Sequence, residues 1–195
     1  MSNRPRKGSI CRVEPIRSQA AIESIKKLLR SKPRDLLLFV LGINCNLRGC
    51  DLLNIKVGAV RHLGVGDALL VREKKTGKLR RINLNKTVFE AIQLWLTARP
   101  DLRDCDPLFP SRKGGKPLGT SYLNRLVKGW CKAVGLTENY GGHTLRKTFG
   151  YIHRVVFQTD LPTLMRLYNH SSERQTLDYL GIQQSEVERA YLKEI

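Results

Sequence analysis

The sequence contains no apolar run approaching the ~20 residues that a membrane-spanning helix needs. The longest, residues 36–43, is interrupted by Gly42 and reads as a buried helix. Residues 1–7 are basic, but no apolar stretch follows them, which argues against a secretory signal. Cysteine offers no disulfide framework. The five cysteines (Cys11, Cys45, Cys50, Cys105, Cys131) are odd in number and scattered, without a CxxC pair, and no histidine stands at zinc-ligand spacing from Cys45 and Cys50. They read as free thiols of a reducing compartment, with no structural metal. Neither an internal repeat nor a low-complexity segment is present. A cytoplasmic protein is expected.

Acidic residues are the scarcest class relative to their opposites: 17 Asp and Glu against 35 Lys and Arg, a net charge of +18. Such an excess repels itself in a compact state unless a polyanion is the partner. Nucleic acid fits best, since each neutralised phosphate releases counterions. A basic surface kept for solubility is the plain alternative. An anionic membrane is a weaker one, because neither end carries a basic amphipathic helix. With 41% apolar residues, 195 residues can bury one domain, or one domain and an arm.

Residues 1–17 carry Arg4, Arg6, Lys7, Arg12 and Arg17 against Glu14 alone, and are expected as a flexible basic arm. From Ser18 the apolar positions Ala21, Ile22, Ile25, Leu28 and Leu29 recur at helical spacing, and Pro33 opens a second helix. Residues 56–61, 68–72 and 79–84 read as three strands, the last two joined by a turn at Gly77. Helices are expected over 86–98, 121–134, 144–157, 161–168, 173–180 and 185–193, with a long loop over 100–117. The order fits a single α+β, mainly helical domain over residues 18–195 with a small three-stranded antiparallel sheet.

Four short motifs carry chemistry. In Asn46-Leu47-Arg48-Gly49-Cys50-Asp51 an arginine closes a buried helix, where only a carboxylate or phosphate makes it tolerable. Asp51, three residues on, can orient Arg48; a structural ion pair is the plain reading. In Glu73-Lys74-Lys75-Thr76-Gly77-Lys78 a lysine at a hairpin tip can reach a phosphate or a leaving oxygen, or simply be solvated. In Gly141-Gly142-His143-Thr144-Leu145-Arg146 the His and Arg share the first turn of a helix, whose free amides and dipole favour an anion. The fourth, Asn169-His170-Ser171-Ser172, precedes Tyr179 by nine residues counted from His170.

Together these motifs resemble the tyrosine site-specific recombinase (phage integrase) family. Its signature is an arginine in an LRxxE/D turn, a hairpin lysine, HxLR, a GHSS-type histidine, and a nucleophilic tyrosine nine residues further. The matching positions are Arg48 with Asp51, Lys75, His143 with Arg146, His170 and Tyr179, over roughly residues 18–195. Three positions depart from the pattern: Asn46 and Asn169 stand where glycine is usual, and Lys147 where a histidine often follows HxLR. Only 17 residues precede the first helix, so the core-binding domain of most members is not expected here; a minimal member or a catalytic fragment is.

The resemblance implies DNA cutting and rejoining through a 3′-phosphotyrosine bond to Tyr179, with no cofactor, metal or ATP. Integration, excision and inversion are all compatible outcomes. It also implies double-stranded DNA as partner and a tetramer on paired sites, formed from monomers or dimers. Attack on a phosphodiester builds a second negative charge, so catalysis is mostly charge stabilisation. Arg48 and Arg146 would clamp the non-bridging oxygens, His143 and His170 would add hydrogen bonds, and His143 would help take the tyrosine proton. Lys75, with Lys74 in reserve, would protonate the departing 5′ oxygen. Lys74, Lys78, Arg80, Arg81 and Lys147 are expected DNA contacts, and residues 183–195 would pack on a neighbouring protomer or on their own domain. Alternatives are a binding-only regulator with the same fold and a type IB topoisomerase-like relaxing enzyme. A nonspecific chromatin protein would explain the charge but not the motifs.

Overall fold

The most apolar stretch of the chain forms the helix around which the others pack. In a computed structural model, which describes residues 13–111, 114–180, Glu188, Tyr191, Leu192 and Glu194, this is α2 (Pro33–Asn44). Pro33 starts it, where a missing N–H is harmless, and Leu37, Leu38, Phe39, Val40 and Leu41 are all buried. A helix buried all round must be surrounded: α1 (Gln19–Leu29), α4 (Lys86–Ala98) and α6 (Gly142–Val155) lie against it. Gly42 is the contact point with α6. A Cβ there would drive into the side chain of Leu145, so glycine is what lets the two helices approach.

Local capping sets the helix starts. Ser18 Oγ accepts from Ala21 N–H at the head of α1, and Asn85 Oδ1 accepts from Val88 N–H at the head of α4. Asp160 does the same through Thr163 N–H for α7 (Leu161–Tyr168). Among the described residues the remaining helices are α3 (Gly49–Leu53), α5 (Thr120–Ala133) and α8 (Glu173–Leu180). Phe39 meets Trp130 of α5 edge to face at 5.9 Å within the main core. A smaller cluster of Phe149, Leu164, Tyr168 and Leu180 joins α6, α7 and α8.

The sheet has two antiparallel strands, β1 (Ala68–Arg72) and β2 (Leu79–Asn83), with Leu69 opposite Ile82 and Arg72 opposite Leu79. Gly77, at φ +68°, turns the chain between them. The third expected strand, 56–61, does not form. Lys56 makes only an isolated bridge to Pro107, and Val57–Ala59 winds into a 3-10 turn. The reason lies in the long loop: the amides of Val57 and Gly58 donate to the carbonyls of Asp106 and Asp104, so this apolar segment pairs with the loop rather than with β1.

The amino-terminal boundary also differs from expectation. Residues 13–17 are held: Ile16 is fully buried, its amide donates to Thr148 Oγ1 at 2.9 Å, and Glu14 N–H donates to the carbonyl of Asn139. Arg17 pairs with Glu14 and lies over the ring of Tyr151. The rest of the expected arm, 1–12, lies outside the described residues, as does most of the expected helix 185–193. Among the described residues no helix is long and apolar enough to cross a membrane.

Candidate active site

The first turn of α6 is shaped by two glycines. Gly142 N–H donates to Asn124 Oδ1, and a Cβ at Gly142 would stand 3.0 Å from that same oxygen. Thr144 Oγ1 accepts from Gly141 N–H at 3.0 Å, closing the helix start. This fixes His143 on the outer side and sends Arg146 inward, where it is 1% exposed. Arg146 Nη2 donates to the carbonyl of Tyr168 at 3.1 Å, and its guanidinium lies 5.1 Å and 5.6 Å from the ring centroids of Tyr168 and Tyr179. Among the described residues its Nε and Nη1 have no partner. A buried cation with open donors is costly unless an anion completes it. Burial first, and the charges of Arg48 and Arg80 after it, oppose its ionisation.

Helix α7 ends on Asn169, in the left-handed region at φ +57°, where its N–H closes on the carbonyls of Arg166 and Met165. That turn delivers His170, whose Nδ1 meets Thr176 Oγ1 at 3.1 Å and whose ring stacks on Tyr168 at 5.0 Å. Tyr179 on α8 packs against the same two rings, at 5.1 Å from Tyr168 and 5.4 Å from His170. Its hydroxyl meets His143 Nδ1 at 3.4 Å. Both histidines are disposed to be neutral. Burial, then the charges of Arg146, Arg48 and Arg80, push His170 down to about 4. The His143 side chain is exposed, yet desolvation by its neighbours, then the charges of Arg146, Arg48 and Lys147, lower it as well.

Arg48 caps α3 and is aimed by the preceding corner. Asn46 takes φ +51°, and its Nδ2 donates to the carbonyl of Leu167 at 2.7 Å. Arg48 Nη1 lies 2.9 Å from Glu73 Oε2 and 4.0 Å from Asp51 Oδ2. Asp51, expected to orient this arginine, holds the hairpin instead: its Oδ1 accepts from Lys74 N–H at 2.9 Å. Arg80, expected on the DNA surface, turns inward. Its Nε lies 3.2 Å from Glu73 Oε1 and its Nη1 donates to the carbonyl of Asn46 at 2.9 Å. Glu73 is thus shared by two guanidiniums. Burial alone would raise its pKa, but the hydrogen bond from Thr76 and the ion pairs with Arg48 and Arg80 outweigh that and hold it low.

Of the sequence-expected residues, His143, Arg146, His170 and Tyr179 make one contact cluster, and Arg48 is near enough for its charge to act on both histidines and on Arg146. Lys75 sits with Lys74 and Lys78 on the exposed hairpin tip, and Arg81 is exposed beside them. Lys147, on α6, is partly exposed. The sequence reading missed Glu73 and Tyr168. A signal for Glu73 existed: it is the single acidic residue between Asp67 and Glu90, amid seven cations, and a lone carboxylate there implies a specific partner. Among the described residues no three His, Cys, Asp or Glu side chains gather as a metal-ligand set.

A mainly helical domain that gathers two arginines, two histidines and a helix-borne tyrosine around a small hairpin defines a tyrosine recombinase catalytic domain, an enzyme class that cuts and rejoins DNA. The chain belongs to the phage integrase family, whose model matches residues 13–186. It is 37% identical over 180 residues to the probable integrase/recombinase YoeC of Bacillus subtilis, covering 92% of this chain and 95% of that one. It is 32% identical over 180 residues to the tyrosine recombinase XerC of Caldanaerobacter subterraneus, covering 88% of this chain but 49% of that one, so it spans about half the length of such relatives. The fold is that of the XerA recombinase crystal structure, with a TM-score of 0.75 at 20% identity over 97% of this chain and 65% of that one. It is also that of the XerH site-specific recombinase bound to a palindromic difH substrate, with a TM-score of 0.72 at 24% identity over 88% and 49%.

Proposed function

We propose that this chain is a site-specific recombinase that acts on double-stranded DNA in the cytoplasm through a 3′-phosphotyrosine link to Tyr179. The observation that carries the reading is Arg146: a guanidinium 1% exposed, pinned by one nitrogen to Tyr168, with two further donors unmatched by the described residues beside the Tyr179 ring. A phosphate is the group those donors fit. The +18 charge supports DNA as the source of that phosphate.

The step balances without a cofactor. Tyr179 Oη attacks the phosphorus while the P–O5′ bond breaks and its electron pair leaves on the 5′ oxygen. The tyrosine proton passes to His143 Nδ1, 3.4 Å away, which depressed basicity keeps neutral and able to accept. Lys75 delivers a proton to the 5′ oxygen from the hairpin tip. Arg48 and Arg146 hold the non-bridging oxygens as the second charge develops, and His170 adds a hydrogen bond. Reversal by a 5′ hydroxyl rejoins the strand, because the phosphodiester energy is kept in the tyrosyl link. Tyr179 packs against Arg146 and His143 of its own chain, which supports attack in cis. A tetramer on paired sites completes strand exchange, and Lys74, Lys78, Arg81 and Lys147 contact the duplex around the cut.

The test is covalent trapping. Wild type and Tyr179→Phe are mixed with supercoiled DNA carrying the flanking region of the gene, in EDTA, and quenched with SDS. An adduct for wild type only is expected. An adduct of equal yield for both variants overturns the assignment of Tyr179.

A further inference from the structure

We propose that Glu73 is a positioning residue for Arg48, fixing the guanidinium through its buried carboxylate and tying it to the hairpin that carries Lys75; the proposal rests on the recombinase reading above. Three observations carry it. The carboxylate is 1% exposed, and its Oε2 is 2.9 Å from Arg48 Nη1, where the in-helix candidate Asp51 is at 4.0 Å. The same oxygen accepts from Thr76 Oγ1 at 2.7 Å, and the Glu73 main chain closes the turn through Gly77 N–H to its carbonyl and its own N–H to the carbonyl of Lys78. Its other oxygen lies 3.2 Å from Arg80 Nε, and Arg80 reaches on to the carbonyl of Asn46.

One carboxylate therefore sits at a junction of two mechanistic parts. The contact to Arg48 is an ion pair at one nitrogen, without hydrogen-bond alignment, so the carboxylate fixes that end of the guanidinium by charge and leaves its other nitrogens for a phosphate. Thr76 on the same oxygen sets the turn that displays Lys74 and Lys75. Arg80 stands at the other oxygen, so each end of the carboxylate faces a guanidinium. Asp51 holds the hairpin through Oδ1, which accepts from Lys74 N–H, while its Oδ2 faces Arg48 at 4.0 Å, farther than the 2.9 Å of Glu73.

The distinction between positioning and bulk stability is readable. Glu73→Gln keeps the shape and removes the charge. Arginine side-chain 15N NMR of the DNA-free protein is expected to show resolved Arg48 Nη signals in wild type and their collapse by averaging in Glu73→Gln, with partial recovery in Glu73→Asp. Unchanged Arg48 signals in Glu73→Gln overturn the proposal whether or not the protein cleaves DNA. On a duplex carrying the cleavage site mapped with the plasmid, first-order adduct formation by Glu73→Gln is expected to fall about 100-fold at unchanged DNA affinity. A 5′-bridging phosphorothiolate, whose sulfur leaves without protonation, separates the two roles. Failure of the thiolate to restore the rate places the defect at Arg48, as proposed. Full restoration places it at Lys75 and overturns the assignment. Loss of wild-type adduct on every DNA would strike the recombinase reading, leaving the NMR result to decide the link between Glu73 and Arg48.

Discussion

Arg146 and Tyr168 hold each other through reciprocal bonds. The guanidinium donates to the carbonyl of Tyr168 at 3.1 Å, and the phenol donates to the carbonyl of Arg146 at 2.8 Å. The phenol reaches that carbonyl across α6, where a Cβ on Gly150 would collide with its hydroxyl. Gly150 is thus the gap through which α7 is latched to the arginine.

Gly150→Ala is expected to lose about 2 kcal/mol. Overpacking costs about 1–3 kcal/mol in a filled core, plus the displaced phenol bond, and alanine's better helix propensity returns about 1 kcal/mol. Tyr168→Phe keeps the volume and should lose about 1 kcal/mol for the single hydrogen bond. Urea denaturation of both variants checks the order, and a stabilised Gly150→Ala would contradict the latch.

Arg146→Lys preserves a positive charge but not the fork. Cleavage is expected to fall at least about 100-fold, as when one preorganised donor is removed from a developing oxyanion, while duplex affinity changes little. Arg48→Ala and Arg146→Ala should abolish cleavage. Adduct yield beside an equilibrium binding assay separates the two effects, and normal cleavage by these variants would remove both from the site.

Acid should weaken the fold through His170. Its folded pKa, about 4, lies below the unfolded value, so between about pH 6.5 and pH 4 the unfolded chain binds more protons. Stability then rises with pH across that window, and this contribution is lost as pH falls through it. His143, shifted the same way, adds to the slope. Urea midpoints at pH 7 and pH 4.5 should differ less in His170→Gln than in wild type; equal differences would refute the attribution.

The cations of the hairpin should divide into two behaviours. Lys74, Lys78 and Arg81 are exposed, and replacing one by alanine should weaken DNA binding and reduce the salt slope by about one. Arg80→Ala should act on stability and cleavage more than on the salt slope, because its charge is spent on Glu73. Plots of log affinity against log salt for the four variants decide this.

Helix periodicity and capping made most elements legible, down to the bounds of α4, α7, α8 and β1. Segment 56–61 was illegible for a physical reason. Its valines demand burial, but the partner that satisfied its amides is a loop distant in sequence. The two asparagines that depart from the family pattern make sense only in three dimensions. Asn46 and Asn169 both occupy left-handed backbone, and asparagine is the side chain that best tolerates it after glycine. Asn46 also uses its amide to join the α2–α3 corner to α7, which no glycine could do. The inward turn of Arg80 was within reach of the sequence, because a strand's two-residue period puts it on the face of Ile82 and opposite Arg81; its partner Glu73 was what the pattern did not name.

The donors of buried Arg146 that the described residues leave unmatched set two kinds of selection against each other. Any substitution that offered its open nitrogens a carboxylate would make a sturdier protein and close the place meant for phosphate. A screen for heat-resistant variants would therefore enrich inactive ones at the positions bordering that guanidinium. Consensus or ancestral stabilisation of this chain is safest far from it, on the outer faces of α1 and α4.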